Sequence, residues 1–164
     1  MMPLDEMYRE IILDHYRSPR GRKPLDAATL TAEGHNPSCG DDIRLEIELK
    51  DNILKDVHVD CKGCAISVAS GSMLAEAVKG KTFAEVSELA RMIRLMLKGE
   101  LDDPPGDIGD LGALAGVRQF PVRIKCALLA WVTLIEGLDK YAGGHPDGTI
   151  VVTSEHDHDS KKTE

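Results

Sequence analysis

Aromatic side chains are scarce in this chain: one Trp, two Phe and three Tyr make up 4% of 164 residues. The interior must therefore be filled by Ala, Leu, Ile, Val and Met, within an ordinary hydrophobic fraction of 42%. An excess of positive charge is also missing. The net charge is −8, which argues against nucleic acid as the main partner, because phosphate contacts need a basic surface. No apolar run approaches the ~20 residues of a membrane span. There is no strand–helix–strand alternation, no internal repeat and no Gly-rich phosphate loop. Met1 to Tyr16 is charged and amphipathic rather than a secretory leader. The expected compartment is thus cytoplasmic and reducing. Four cysteines in such a compartment point to metal or redox chemistry before structural disulfides.

What is present centres on Asn36-Pro37-Ser38-Cys39-Gly40-Asp41. A thiol and a carboxylate lie two residues apart on a Pro/Gly-punctuated loop. Pro37 disfavours helix at Asn36, and Gly40 permits a sharp turn between the two side chains. Soft sulfur beside hard oxygen suits a borderline metal such as zinc. Two ligands are too few, so Cys61, Cys64 and Cys126 are candidates for the rest.

The chain order predicts an α+β fold, a small three-stranded antiparallel sheet packed against several helices. Residues 4–16 have helical spacing of Leu4, Met7, Tyr8, Ile11 and Ile12. A basic loop follows, with Arg17, Arg20, Arg22 and Lys23; it reads as a solvated loop or as a patch for an acidic partner. Residues 42–50 alternate as a half-buried strand, Asp51-Asn52 makes a turn, and 53–61 forms a second strand. A weaker strand is expected around 31–35. Helices are predicted over 65–79, from the capping box Thr82-Phe83-Ala84-Glu85 to about 98, and over 121–141 behind Pro121. Residues 99–110 read as an acidic loop around Pro104-Pro105-Gly106, with a short helix near 110–116. Residues 1–144 form the expected domain; 145–164 read as an acidic, disordered tail.

The cysteines differ in setting. Cys61 shares strand parity with Val57 and Val59 and should point into the core as a small hydrophobe. Cys64 follows Gly63 at a strand-to-helix turn, where helix N–H groups favour a thiolate. Cys126 opens the last helix between Ala127 and the cations Arg123 and Lys125, which again favour a thiolate, although a lone Cys in that sequence is usually core. His35, His58 and His145 read as isolated surface histidines. His156 and His158 read as part of a solvated tail before a weak metal site. Trp131 has core spacing with Leu128 and Leu134.

Three segments together carry a resemblance: Asn-Pro-Ser-Cys39-Gly-Asp41, Gly63-Cys64-Ala-Ile-Ser, and Phe-Pro-Val-Arg-Ile-Lys-Cys126. Over about residues 4–141 the chain resembles the U-type iron–sulfur assembly proteins, which comprise IscU, the N-terminal domain of NifU, and SufU. It is most similar to the SufU type. IscU-type members carry histidine where this chain has Lys125, and residues 99–118 look like the segment that SufU-type members add. The resemblance implies zinc held by Cys39, Asp41, Cys64 and Cys126. It implies a zinc-dependent sulfurtransferase with Cys39 as sulfur acceptor, fed by a SufS-type cysteine desulfurase and passing sulfur to a SufB-containing complex. The alternative it implies is a scaffold for a [2Fe–2S] cluster on the same residues.

Overall fold

The computed structural model describes residues 4–37, 39–101, 106–143 and 149–153. In chain order these form α1 (Leu4–Arg17), β1 (Leu30–Asn36), β2 (Asp41–Lys50), β3 (Ile53–Lys62), α2 (Ala65–Val78), α3 (Phe83–Leu97), a 3₁₀ stretch (Gly106–Gln119), α4 (Pro121–Ala142) and β4 (Thr149–Thr153). Among the described residues, no helix is long and apolar enough to cross a membrane.

Strands β3, β2 and β1 form the expected antiparallel sheet. Period-two alternation puts Ile43, Leu45 and Ile47 on the buried face, with Val57 and Val59 from β3 and Leu30 and Ala32 from β1. Asp51 and Asn52 join β2 to β3 with φ of 56° and 63°. Both lie in the left-handed region that a tight two-residue hairpin requires, which Asp and Asn tolerate without glycine.

The sheet has a fourth strand. β4 pairs in parallel with β1, within a stretch expected from sequence to be tail. His145, His156 and His158 lie outside the described residues.

α2 is the hub. Its small residues Ala69, Ser70, Gly71, Ser72 and Ala75 are all buried, so neighbours approach from several sides. A Cβ at Gly71 would already touch Val59 at 3.1 Å. Ser70 Oγ donates to the Ala127 carbonyl at 2.6 Å and ties α2 to α4. α3 opens with the predicted capping box, Thr82 and Glu85 each accepting from the other's backbone N–H. On α4, Trp131 is buried in the core as expected.

The segment before α4 differs from expectation. Gly106–Gln119 is 3₁₀ winding, broken at Gly109 (φ 59°, ψ −134°), where the end of a loop and a short helix over 110–116 were expected; residues 102–105 of that loop lie outside the described residues. Leu111, Ala113, Leu114, Ala115 and Val117 are all buried. Such a run suits a plug under several helices better than an amphipathic helix with one wet face.

His15, which its sequence context does not single out, helps to hold this plug. It is fully buried. Ser72 Oγ accepts from the Arg20 N–H at 2.8 Å and is hydrogen-bonded to His15 Nδ1 at 2.7 Å. His15 Nε2 donates to Asp110 Oδ2 at 2.9 Å. One imidazole thus clips α1, α2 and the 3₁₀ stretch together. Glu76 Oε1 lies 3.9 Å from the same nitrogen.

Candidate metal centre

β1 and β2 are paired from Leu30↔Ile47 to Asn36↔Asp41, which makes residues 37–40 a four-residue hairpin loop. Gly40 turns it with φ of 70°, and its N–H donates to the Asn36 carbonyl at 2.8 Å. The Cys39 N–H points to the same carbonyl at 3.3 Å. Cys39 is therefore folded back over the end of β1, half-buried and carried by loop alone.

Asp41 is the first residue of β2 and is fully buried. A buried carboxylate needs partners. Its Oδ1 accepts from the Cys64 N–H at 2.9 Å, and Asn36 Nδ2, also buried, approaches Oδ2 at 3.5 Å. The contact with Cys64 depends on the residue before it: a Cβ at Gly63 would lie 2.1 Å from Asp41 Oδ1.

Cys64 caps α2, its backbone extended and its Sγ accepting from the Ser67 N–H at 3.5 Å. This is the helix-start setting read from the sequence. Its Sγ lies 4.0 Å from Asp41 Oδ2. Cys126 sits in the second turn of α4, buried, its Sγ 3.1 Å from Cys39 Sγ. Asn36 Nδ2 is 3.5 Å from Cys126 Sγ, so one amide touches both a thiol and the carboxylate. Arg123 Nη1 lies 3.9 Å from Cys39 Sγ on the open side.

Ligand atoms of Cys39, Asp41 and Cys126 all fall within 4.8 Å of one another. Cys64 falls outside this mutually close group and stands beside it, its Sγ 4.0 Å from Asp41 Oδ2. Cys39, Asp41 and Cys126, up to 87 positions apart, thus meet with Cys64 beside them, where β2, α2 and α4 begin and one hairpin loop closes. Burial, followed by the hydrogen bonds to Cys39 and Asp41, pushes the Cys126 thiol far above its ordinary range. A cation among these atoms reverses that preference, since it favours thiolate directly.

Two sulfurs and one carboxylate oxygen, from Cys39, Cys126 and Asp41, are a donor set that suits zinc, and Cys64 would add a third sulfur on moving toward them. Sulfurs around a tetrahedral zinc stand about 3.7 Å apart, from bonds of about 2.3 Å. The 3.1 Å pair need open by only about half an ångström.

Cys61 stands apart from the group. It is half-buried against the core, and its thiol donates to Ser67 Oγ at 3.7 Å. Burial pushes it up to about 11. His35 engages Asp42, and His58 Nδ1 meets the Lys23 carbonyl at 3.1 Å. The basic loop splits: Arg20 pairs with Asp14 at 3.0 Å and lies 3.6 Å from Glu76. Asn36, Gly63 and Ser67 are the supporting residues that spacing alone does not reveal as such. They are neither ligands nor cations, and only their neighbours across the sheet give them a role.

Comparison with known proteins bears on the whole domain. The profile of the NifU-like N-terminal domain matches residues 7–145. The chain is 41% identical over 142 residues to a protein from Bacillus subtilis named zinc-dependent sulfurtransferase SufU, covering 87% of this chain and 96% of that one. It is 39% identical over 134 residues to the iron–sulfur cluster assembly scaffold protein IscU of Thermotoga maritima, covering 82% and 94%. Among solved structures it resembles a protein from Fervidobacterium islandicum AW-1, described as a candidate iron–sulfur cluster assembly scaffold for the SUF system. That match has a TM-score of 0.73 and 32% identity, and covers 79% of this chain and 94% of the other.

Proposed function

The chain belongs to the NifU-like N-terminal domain family of iron–sulfur cluster assembly proteins, of SufU and IscU kind, and we propose that within it this protein is a zinc-dependent sulfurtransferase. Its metal ligands are Cys39, Asp41, Cys64 and Cys126, and Cys39 accepts the sulfur. The donor is a SufS-type cysteine desulfurase, the recipient a SufB-containing assembly complex, and the setting the cytoplasm. The relative from Bacillus subtilis supports this reading by its name.

The observation that carries it is the unequal support of the three clustered thiols. Cys64 caps α2 and Cys126 is built into α4, whereas Cys39 rides on the four-residue loop closed by Gly40. Zinc, when bound, keeps thiols deprotonated and shields them from oxidation. Four protein ligands make a closed site, so one must leave for transfer to occur. Cys39 can swing out by loop motion alone, as a partner's histidine takes its place. Asp41, Cys64 and Cys126 keep their positions through the Cys64 N–H and the Asn36 amide. The Arg123 guanidinium attracts the departing thiolate.

The transfer balances without an outside oxidant. The Cys39 thiolate attacks the terminal sulfur of the donor persulfide and forms a new S–S bond. The donor's S–S bond breaks, and its own cysteine leaves as thiolate. Mass spectrometry after incubation with a cysteine desulfurase and cysteine tests this: the added sulfur is expected on Cys39, and Cys39→Ala should not accept it. Sulfur mainly on Cys126 would overturn the assignment.

A second reading, a scaffold for a [2Fe–2S] cluster, is favoured by the relative named IscU from Thermotoga maritima. Lys125 directly before Cys126 weighs against it, since no imidazole stands at that position. Anaerobic reconstitution with iron and sulfide separates the two: a stable, transferable cluster supports the scaffold.

A further inference from the structure

α3 and α4 leave a groove between them, away from the metal centre: Cys39, Asp41, Cys64 and Cys126 take no part in its lining. α3 and its C-cap lend it Ser87, Arg91, Arg94 and Lys98, which share one helix face at three- and four-residue spacing. α4 answers with an apolar stripe of Leu128, Trp131, Val132 and Ile135. The groove measures about 490 Å³, within the range of sites that take small organic molecules.

Two independent features indicate what fills it. The first is an unmet hydrogen bond. Trp131 is only 1% exposed, yet its Nε1 is a buried side-chain donor with no partner among the described residues. A buried indole N–H ordinarily has an acceptor, and leaving it without one is costly.

The second is charge. The chain carries −8, but this groove is lined by three cations, Arg91, Arg94 and Lys98, against one carboxylate, Glu100. Arg91 is forked onto Glu88 at 3.1 and 2.7 Å, which fixes it on the rim and offsets part of its charge. Across from these cations Leu128, Val132 and Ile135 are only half-buried.

An occupant that suits both walls presents an apolar body to α4, and to α3 a negative charge that is also a hydrogen-bond acceptor. A carboxylate on a hydrocarbon chain combines these. Size favours a small molecule over a partner's helix, since one helical turn, about 10 Å across, already fills roughly 400 Å³. We propose that the α3–α4 groove binds a small amphiphilic carboxylate. Its chain lies on Leu128, Val132 and Ile135. Its carboxylate accepts from Trp131 Nε1 in the positive field of Arg94 and Lys98. The site is independent of the metal centre and of sulfur transfer.

The test uses the full chain with octanoate as probe and octan-1-ol as its uncharged counterpart. With one tryptophan, the protein gives a single indole N–H signal in nitrogen-15 NMR. Octanoate should move that signal saturably, and octan-1-ol should bind roughly tenfold more weakly or worse. Calorimetry then compares variants whose folding is checked by circular dichroism. Arg94→Gln with Lys98→Gln, and separately Trp131→Phe, should each weaken octanoate roughly tenfold. Val132→Asp, which sets a like charge against the ligand, should abolish binding. Absence of a saturable indole shift at millimolar octanoate would overturn the proposal. Equal affinity for octan-1-ol would do so too, leaving a merely apolar groove. Shifts confined to the amides of Gly40, Asp41 and Cys64 would place the carboxylate at the metal centre instead. Tighter binding of an acidic amphipathic peptide at the same indole would give the groove to a partner's helix.

Discussion

Gly63 and Asp41 are packed so closely that a methyl group between them has no room: the Cβ would sit 2.1 Å from Oδ1 and 2.7 Å from Cγ of the carboxylate. The contact fixes where a β2 carboxylate meets the start of α2. Gly63→Ala must displace Asp41 or the turn. The expected cost is about 1–3 kcal/mol, as for other overpacked sites. Zinc affinity should fall with it, because Asp41 and Cys64 move apart. Denaturant melts and chelator competition measure both; unchanged values would mean that the turn adapts freely.

The two cysteines of Cys61-Lys62-Gly63-Cys64 should behave oppositely. Protein purified without added iron should hold about one zinc per chain. Cys64→Ser should remove most of it, and Cys61→Ser should leave it bound. Elemental analysis of both variants decides, and the reverse pattern would show the ligand assignment to be wrong.

Metal removal should cost stability. The ligands are spread from Cys39 to Cys126, so bound zinc closes a loop of 87 residues. A chelator that strips the ion should lower the melting temperature, by roughly 2–4 °C for each kcal/mol lost in a chain of this size. An unchanged melting curve with zinc gone would make the site peripheral.

The Cys61 thiol gives a pH signature. Burial raises it from 9.0 to about 11, so the folded state holds its proton after the unfolded chain has released it. Its contribution is complete below pH 9 and is lost as pH climbs through 11. Cys61→Ala should flatten the decline of stability over that window, compared with wild type by denaturant melts. At pH 8, iodoacetamide should modify Cys61 more slowly than an unfolded-chain thiol. Fast modification at that pH would contradict its burial.

Most of the architecture follows from local patterns. Ile43, Leu45 and Ile47 announce a half-buried strand by alternation, and Thr82 with Glu85 announces a helix start by spacing. Cys64 and Cys126 were legible as helix-start thiols, and Cys39 with Asp41 as a pair on a turn. The 3₁₀ stretch was not legible: Gly109 breaks the period, and a run buried on several sides has no amphipathic signature. β4 was missed for a different reason. Thr149 to Thr153 are all β-branched and follow Pro146-Asp147-Gly148, a strand signal hidden by polar, acidic flanks that read as one tail. Asn36 is the clearest loss at the site. It reads as the residue before a proline, while its amide bridges Asp41 and Cys126 across 90 positions of chain.

Trp131 is the chain's single tryptophan, and its buried Nε1 has no hydrogen-bond partner among the described residues. An indole shielded from water emits at shorter wavelength than one in solvent. All tryptophan emission therefore originates at one core position on α4, five residues beyond Cys126. Unfolding should appear as a red shift of the whole band, uncontaminated by other indoles. Events confined to the Cys39 loop should leave the wavelength in place. The protein thus carries an internal optical reporter that can tell a loop opening from a loss of the core.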